Sequence, residues 1–381
     1  MKIYRGYKIR LLPTEEQEQL LWKHVHACRF LWNYMIEYQE QNYKNGEKYL
    51  SNYNMMKVLT SLKKKEEYLW LGGVSTTSLQ RVCTDVDIAY KAFFKALKGH
   101  PRFKDRKKSK KSYPISLVDS YFTDNNTYQV PKVGKIKYSC KCLPIGKRVD
   151  PRISYVNQKW ILSFKIAHES QVWETSDVPM GIDLGIKELA VVSYGDQKYV
   201  FHNINKSKKM RTLEHKLSHI NRVIQRKYRT NDSYDKTNAI LKYEQIARDI
   251  NYRICNIRKN YIHQITHQLI DLHPSIIVME NLKVGNMTKN KYLRKDIEIA
   301  NFYEFVRQIQ YKCQWNSLKF LKADAWFPSS KLCSRCGNKK LDLKLSDRVY
   351  NCTECGLKID RDYNAAINLM KYVPQNKRVT A

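Results

Sequence analysis

Residues 329–370 read SSKLCSRCGNKKLDLKLSDRVYNCTECGLKIDRDYNAAINLM and combine two cysteine pairs with a group of acids. Cys333 and Cys336 form the first C-x-x-C pair, and Cys352 and Cys355 form the second after 15 intervening residues. Four thiolates at this spacing suit one tetrahedral zinc ion, because each pair can occupy a tight turn. The stretch therefore predicts a four-cysteine zinc ribbon that holds one structural Zn²⁺.

The segment that follows the predicted ribbon in the sequence contains an aspartate at a fixed distance from the last cysteine. Asp362 follows Cys355 by seven residues, inside DRDYNAA, and Asp360 is its neighbouring alternative. Gly337 and Gly356 each follow the second cysteine of a pair, where a tight turn often needs a positive φ. A ribbon that only binds a partner would have the same cysteines, so the acids elsewhere in the chain decide between the two interpretations.

Two further acids lie upstream, each at a predicted buried strand. Asp183 lies in VPMGIDLGIKELAVV, whose apolar residues predict a strand over 180–194, and Glu280 directly follows the apolar run SIIVM. Burying an unpaired carboxylate costs several kcal/mol, so an acid at such a position is usually paired or bound to a metal. A single acid there would fit a salt bridge or a turn equally well. Three such acids, one of them beside a zinc ribbon, favour a metal site.

The motifs GIDLG, VMENL and C-x-x-C…C-x-x-C-x6-D-x-N-A-A occur in this order along the chain. Together they resemble TnpB, the OrfB-type protein of bacterial insertion sequences, a family related to the type V CRISPR effector nucleases. The resemblance extends over nearly the whole chain, since YKIRLLPTEEQ, HPRFK and AWFPSSKLC are also similar to family stretches.

The resemblance implies that Asp183, Glu280 and Asp362 form the active site of a RuvC nuclease domain with an RNase H-like fold. The D-x-N-A-A pattern selects Asp362 over Asp360. Such a site would bind one or two Mg²⁺ ions, or Mn²⁺, because three converging carboxylates need a hard cation to stay ionised. The implied activity is RNA-guided cleavage of double-stranded DNA beside a short transposon-adjacent motif. The guide would be an RNA derived from the transposon end.

The expected fold class is a multidomain α/β and α+β protein. Residues 113–168 alternate short apolar strands with Pro, Gly and Asn turns, which predicts a small β-barrel or sandwich. By resemblance this is a wedge-like domain with an inserted helical recognition domain. The predicted boundaries are 1–13 and 99–178 for the wedge-like domain, 14–98 for the recognition domain, 179–326 and 358–371 for the RuvC-like domain, 327–357 for the ribbon, and 372–381 for a flexible tail.

Lys and Arg total 69 against 36 Asp and Glu, which gives a formal net charge of +33. A charge of this size implies a polyanionic partner, and 27 tyrosines among the cations suit stacking on unpaired bases. The cations concentrate in residues 102–112, RFKDRKKSKKS, and on one face of a predicted helix over 207–229, although either could be a solvated face. The predicted nucleic-acid contacts are Arg102, Lys104, Arg106, Lys107, Lys108, Lys110, Lys111, Lys208, Lys209, Arg222, Arg226 and Lys227.

The first ten residues are charged throughout, and no apolar run approaches the roughly 18 residues of a membrane span. We therefore expect a cytoplasmic protein without a membrane partner. Three alternatives to guided cleavage by an insertion-sequence protein remain open from the sequence. They are a compact type V CRISPR-like effector, a DNA-binding regulator of transposition that does not cleave, and a transposase that joins DNA ends.

Overall fold

The computed structural model describes residues 2–123, 125–140, 142–170, 173–231, 236–282, 294–324, 326–344 and 347–372. The chain divides into two compact units, one of residues 2–169 and one that begins at residue 170. Nearly all of the predicted tail, residues 373–381, lies outside the described residues. None of the helices in the described ranges is both long enough and apolar enough to cross a membrane.

The first unit is built on a seven-stranded antiparallel sheet in the order β2-β6-β7-β1-β5-β4-β3. Among the described residues this is the order of an open sheet, where a barrel or sandwich was predicted. The end strands β2 and β3, three and two residues long, are not paired with each other in the described part of the chain. The strands are β1 (Lys2–Leu12), β2 (Ser112–Pro114), β3 (Phe122–Thr123), β4 (Thr127–Val130), β5 (Gly134–Ser139), β6 (Arg148–Val156) and β7 (Lys159–Glu169).

Helices cover this sheet and share its core. The first helix begins with a capping box, in which Thr14 and Gln17 each accept a backbone N–H from the other. Leu31 and Leu79 from the helices and Leu162 from β7 belong to one buried apolar cluster, so sheet and helices fold as a single body. The helices are α1 (Glu15–Lys44), α2 (Asn52–Leu62), a 3-10 helix (Glu66–Gly73) and α3 (Thr76–Phe94).

The second unit contains a five-stranded mixed sheet in the order β10-β9-β8-β11-β12. β8, β9 and β10 are antiparallel neighbours, whereas β8, β11 and β12 run parallel. The prediction of a single strand over 180–194 was wrong, because the chain reverses after Gly185 and forms the β8–β9 hairpin. The strands are β8 (Met180–Leu184), β9 (Glu188–Tyr194), β10 (Gln197–His202), β11 (Ile276–Met279) and β12 (Lys319–Lys322).

The two faces of this sheet are covered by different helices. Ile277 and Met279 of β11 belong to the cluster that contains residues of α5 and α7, whereas Val278 packs with Leu369 of α8. Successive residues of a strand point to opposite faces, so α8 lies on the face opposite to α5 and α7. The helices of this unit are α4 (Lys208–Arg229), α5 (Asn238–Ile270), α6 (Arg294–Ala300), α7 (Phe302–Trp315) and α8 (Arg361–Met370).

The cysteine-rich segment forms a small module between β12 and α8. Its hairpin consists of β13 (Val349–Asn351) and β14 (Lys358–Asp360), and α8 follows β14 without a break. Tyr350, fully buried, packs between Cys333 and Cys352 in the core of this module. The module is therefore joined directly to the helix that carries Asp362.

Candidate functional site

Asp183 lies on β8, and Glu280 directly follows Met279, the last residue of the adjacent parallel strand β11. Met279 pairs with Ile182 of β8, so each acid follows one residue of this pair. Ile182 and Met279 point toward the cluster with α5 and α7, so Asp183, the next residue of β8, points to the face of α8. Both carboxylates are half-buried.

Gly181 allows α8 to approach this face closely. A Cβ atom at this position would collide with the carbonyl oxygen of Ala366 and with the backbone nitrogen of Met370, and would lie 2.9 Å from the Met370 Cα. Gly181 does not need a positive φ. Its role is steric: only a residue without a side chain leaves room for the helix backbone over β8.

The two candidate acids at the start of α8 have different roles. Asp360 is the N-cap, and its Oδ1 accepts the Tyr363 N–H at 2.9 Å. Asp362 lies in the first turn, with its side chain 17% exposed and its Oδ1 3.4 Å from the Arg361 Nη2. Because Asp360 is engaged in capping, Asp362 is the better placed of the two to act on a ligand.

Burial and neighbouring negative charge hold the pKa of Asp183 well above its ordinary value. Burial is the largest cause, followed by the carboxylates of Glu280 and Asp362, while Arg361 acts in the opposite direction. Burial also raises the pKa of Glu280. The three acids thus interact electrostatically, although among the described residues only the four cysteines form a group of potential metal ligands with all their ligand atoms within 4.8 Å of one another.

The four predicted zinc ligands come together in the second unit, as the sequence predicts. The sulfur of Cys333 lies 3.6 Å from that of Cys355, and the same distance separates the sulfurs of Cys336 and Cys352. A tetrahedral ion with Zn–S distances of about 2.3 Å requires sulfurs about 3.8 Å apart, so the four thiols fit zinc.

Each cysteine pair occupies a turn of the same kind. Gly337 donates its N–H to the Cys333 carbonyl at 2.9 Å, and Gly356 donates to the Cys352 carbonyl at 3.1 Å. Both glycines have the predicted positive φ, 75° and 68°. Backbone N–H groups of Cys355 and Glu354 lower the pKa of the Cys352 thiol, whereas burial and hydrogen bonds to the other three cysteines raise the pKa of the Cys336 thiol.

Two asparagines of α8 attach the first cysteine turn to the helix. The Asn364 Oδ1 accepts the Ser334 N–H at 2.9 Å, and its Nδ2 donates to the Leu332 carbonyl at 2.6 Å. Asn368 donates its Nδ2 to the carbonyls of Ser329 and Leu332, both at 2.8 Å. We did not predict these contacts. The D-x-N-A-A pattern singles out Asn364, but its partners lie about thirty residues earlier in the sequence, and no local pattern identifies them.

In the basic segment, Lys104 differs from its neighbours. Its ammonium group lies 3.6 Å from the centroid of the Trp32 ring, and Asn33 binds its backbone at both the N–H and the carbonyl. Burial lowers the pKa of Lys104 to about 8. The Lys104 side chain is thus engaged with the protein, while exposed side chains flank it. The exposed members of the predicted set in this segment are Arg102, Arg106, Lys107, Lys108 and Lys110, and Lys111 is half-buried.

The predicted cationic face of α4 is accessible for most of its length. Lys208, Lys209, Arg222 and Arg226 are exposed, whereas Lys227 is half-buried with its ammonium 5.5 Å from the centroid of the Tyr243 ring. The opposite face packs on α5 through Met210 and other apolar residues. The helix therefore combines a packed side with a positively charged side that is open to solvent.

Three family models match the chain. The model described as "Helix-turn-helix domain" of the OrfB type covers residues 1–48, "Probable transposase" covers 163–291, and "Cas12f1-like, TNB domain" covers 302–369. In this protein residues 2–48 fold as β1 and the single long helix α1. The third match includes all four cysteines and Asp362.

Two relatives carry the name "Putative RNA-guided DNA endonuclease". The one from Streptomyces pristinaespiralis is 28% identical over 97% of this chain and 89% of its own length. The other, InsQ from Escherichia coli (strain K12), is 28% identical over 97% of this chain and 92% of its own length. A cryo-EM structure of a Cas12f1–sgRNA–target DNA complex matches with a TM-score of 0.62 and 12% identity, and the match covers 97% of this chain and 99% of that one.

The similarity in structure shows that this protein shares the fold of the Cas12f1 protein in that complex. The family models and the relatives specify the group further. The chain is similar to TnpB/OrfB-type proteins of insertion sequences, as the motifs predict.

Proposed function

We propose that this protein is an RNA-guided DNA endonuclease. It would bind a guide RNA derived from the transposon end and cleave double-stranded DNA beside a short transposon-adjacent motif. Support comes from the relatives with this name, which match along 97% of the chain, and from a net charge of +33 that suits two nucleic-acid partners. In such a nuclease the protein recognises the shape of the duplex and the flanking motif, while base pairing with the guide RNA recognises the target sequence.

Asp183, Glu280 and Asp362 are the proposed catalytic residues. The observation that supports this assignment is the pairing of Met279 with Ile182, since Glu280 and Asp183 directly follow these residues, together with the electrostatic effect of Glu280 and Asp362 on Asp183. Their mutual repulsion raises the pKa of Asp183, and a bound cation would relieve it. Asp183, Glu280 and Asp362 would together hold the metal ion or ions.

The donor set consists of carboxylate oxygens, which suits Mg²⁺ or Mn²⁺ better than a softer metal. Such ions activate a water for attack on the phosphodiester and stabilise the leaving 3′ oxygen. The four cysteines leave no open position on a zinc ion, so that metal would be structural. Its role would be to hold α8, and with it Asp362, in place.

The first unit is the proposed wedge-like and recognition part of the protein. Its exposed cations in residues 102–111 would bind phosphates, which supplies affinity and salt dependence but no sequence specificity. The exposed face of α4 would do the same for the guide–target duplex. These assignments rest on charge and exposure alone.

The test is to purify the protein with its copurified RNA, sequence that RNA, and assay cleavage of matching DNA. We expect a discrete RNA that ends in a variable segment, and Mg²⁺-dependent double-strand cuts in DNA that matches this segment. Asp183→Asn should abolish cleavage and retain the RNA, because the substitution removes a metal ligand and keeps the shape of the side chain. Copurification of random RNA alone, or of none, would refute guided cleavage.

A second candidate function is DNA strand transfer, because the matched model over residues 163–291 is described as "Probable transposase". An acidic triad on an RNase H-like fold can serve either reaction. The products separate the two: hydrolysis yields linear fragments, whereas strand transfer yields joined DNA.

A further inference from the structure

The first unit contains a cavity of about 570 Å³ between the C-terminal ends of α1 and α3. This volume lies within the range of small-molecule sites in proteins. Residues of α1, of the loop that follows it and of α3 form its wall, and His100 completes it. Six of the twelve lining residues have aromatic rings: Tyr43, Tyr49, Tyr90, Phe93, Phe94 and His100.

Three pairs of these rings meet edge to face. The rings of Tyr49 and Phe94 are 5.3 Å apart at 90°, and those of Tyr90 and His100 are 5.4 Å apart at 90°. Tyr43 remains 83% exposed and Phe94 59% exposed, although both line the cavity. The site thus offers aromatic surface that the protein itself leaves uncovered.

The hydroxyl of Tyr90 is a second, independent sign of a ligand. Tyr90 is only 5% exposed, and its hydroxyl is buried without a hydrogen-bond partner in the part of the chain that the structure describes. The neighbouring Tyr49, by contrast, donates its hydroxyl proton to Asp87 at 2.9 Å. A buried polar group without a partner is costly and uncommon, so the Tyr90 hydroxyl calls for a partner from outside the protein.

The charges around the cavity indicate a ligand with an uncharged ring inside the cavity and phosphate groups outside it. Lys44 and Lys48 line the wall together with Glu40 and Glu47, so the four charged groups balance and the cavity itself does not select an anion. Exposed cations follow directly along the chain, in the last turn of α3, in the residues after it and in the basic segment. They are Lys91, Lys95, Lys98, Arg102, Arg106, Lys107, Lys108 and Lys110.

We propose that this cavity binds an unpaired base of the RNA partner, with Tyr43 and Phe94 stacking on the base and the Tyr90 hydroxyl bonding to its edge. The inference rests on the proposed function for the presence of an RNA. RNA is the source that fits, because a folded RNA presents splayed bases in loops and bulges, whereas the bases of double-stranded DNA are paired. The neighbouring cations would bind the phosphates on either side of that base.

Tyr43→Ala tests the stacking contact, with Tyr53→Ala as the matched control. Tyr53 is 67% exposed on α2 and does not line the cavity. The probe is the RNA that copurifies with the wild-type protein, transcribed in vitro and titrated in the absence of DNA. We expect Tyr43→Ala to weaken binding by about tenfold or more and Tyr53→Ala to change it less than about twofold. The slope of log affinity against log salt should stay unchanged in both variants, since no phosphate contact is lost.

Tyr90→Phe tests the proposed hydrogen bond from the Tyr90 hydroxyl to the base, because the substitution removes only that hydroxyl. We expect the variant to be at least as stable as the wild type toward denaturant, because the lost group has no partner among the described residues of the folded protein. RNA affinity should fall by about five- to tenfold. Wild-type affinity in both Tyr43→Ala and Tyr90→Phe would overturn the proposed site.

Single-stranded DNA of the same sequence serves as the second arm of the titration. A loss of affinity for the DNA strand with unchanged affinity for RNA would overturn the assignment to RNA. The proposed function can fail separately. A wild-type protein that cleaves guided DNA while both variants keep full RNA affinity refutes the cavity alone, whereas a wild-type protein that carries no RNA refutes both.

Discussion

The side chain of Asn364 is hydrogen-bonded to the backbone of Ser334, whose N–H it accepts at 2.9 Å. Asn364 is fully buried in the first half of α8, two residues after Asp362, and Ser334 directly follows Cys333 of the four-cysteine cluster. The cysteine cluster and the third acid are therefore parts of one rigid element. A change in the cysteine cluster is therefore expected to affect the position of Asp362, and a change in α8 is expected to affect the cluster.

Asn364→Ala should weaken the attachment of the ribbon to α8 and reduce DNA cleavage without affecting RNA binding. The substitution leaves the Ser334 N–H and the Leu332 carbonyl without their partner, at a cost of about 1–3 kcal/mol in the free energy of unfolding. We expect cleavage to fall strongly while RNA affinity stays near that of the wild type. Asn351→Ala is the control, because Asn351 is an exposed asparagine of the same module. Equal cleavage by both variants would show that the contact does not position Asp362.

Gly181→Ala should destabilise the second unit severely. The added methyl group would meet backbone atoms of Ala366 and Met370, which cannot rotate away as a flexible side chain can. We expect a loss of about 3 kcal/mol or more in the free energy of unfolding, measured by denaturant titration. Gly72→Ala is the matched control, since nothing lies within 4 Å of the added atom there. A Gly181→Ala protein as stable as this control would contradict the close packing of α8 on β8.

Binding of Mg²⁺ should release protons. Burial and the neighbouring acids raise the pKa of Asp183, so its carboxyl group keeps its proton at a pH where an ordinary aspartate is ionised. A bound cation favours the ionised form, so the proton is released when the cation binds. We expect a release on the order of one proton per site, measured from calorimetric binding enthalpies in buffers of different ionisation enthalpy. Mg²⁺ affinity should accordingly rise with pH until the raised pKa is passed. Asp183→Asn should release fewer protons, and enthalpies that do not depend on the buffer would rule out this coupling.

Two lysines of the basic segment should differ in their effect on RNA binding. The ammonium group of Lys104 lies over the Trp32 ring, whereas Lys108 is exposed. Lys108→Met should weaken binding and reduce the slope of log affinity against log salt by about one, as expected for one lost phosphate contact. Lys104→Met should leave the slope unchanged and lower stability instead, through the lost contact with Trp32. A reduced slope in the Lys104 variant would show that this side chain leaves Trp32 to bind RNA.

Local sequence patterns were sufficient to predict the cluster of four cysteines, the position of Asp183 on a strand and that of Glu280 directly after one. The cluster follows from the spacing of the cysteines, and the strands follow from short apolar runs. The β8–β9 hairpin was missed although Gly185, Lys187 and Glu188 interrupt the apolar residues at the turn, because the apolar residues on both sides were assigned to one strand. Lys104 was grouped with its exposed neighbours because its partner Trp32 is 72 residues away. Contacts between residues so far apart in the sequence depend on the assembled fold, and no local sequence pattern predicts them.

The position of the ribbon has a consequence for the order in which the protein is made. Ribosomes deliver the chain from its N-terminus, so Asp183 and Glu280 emerge early, and Asp362 emerges only after all four cysteines. The helix that carries Asp362 is bound to the first cysteine turn through Asn364 and Asn368. The proposed catalytic centre is therefore completed only after the cysteine segment has been synthesised. The capacity to cut DNA would then depend on zinc supply before it depends on any guide.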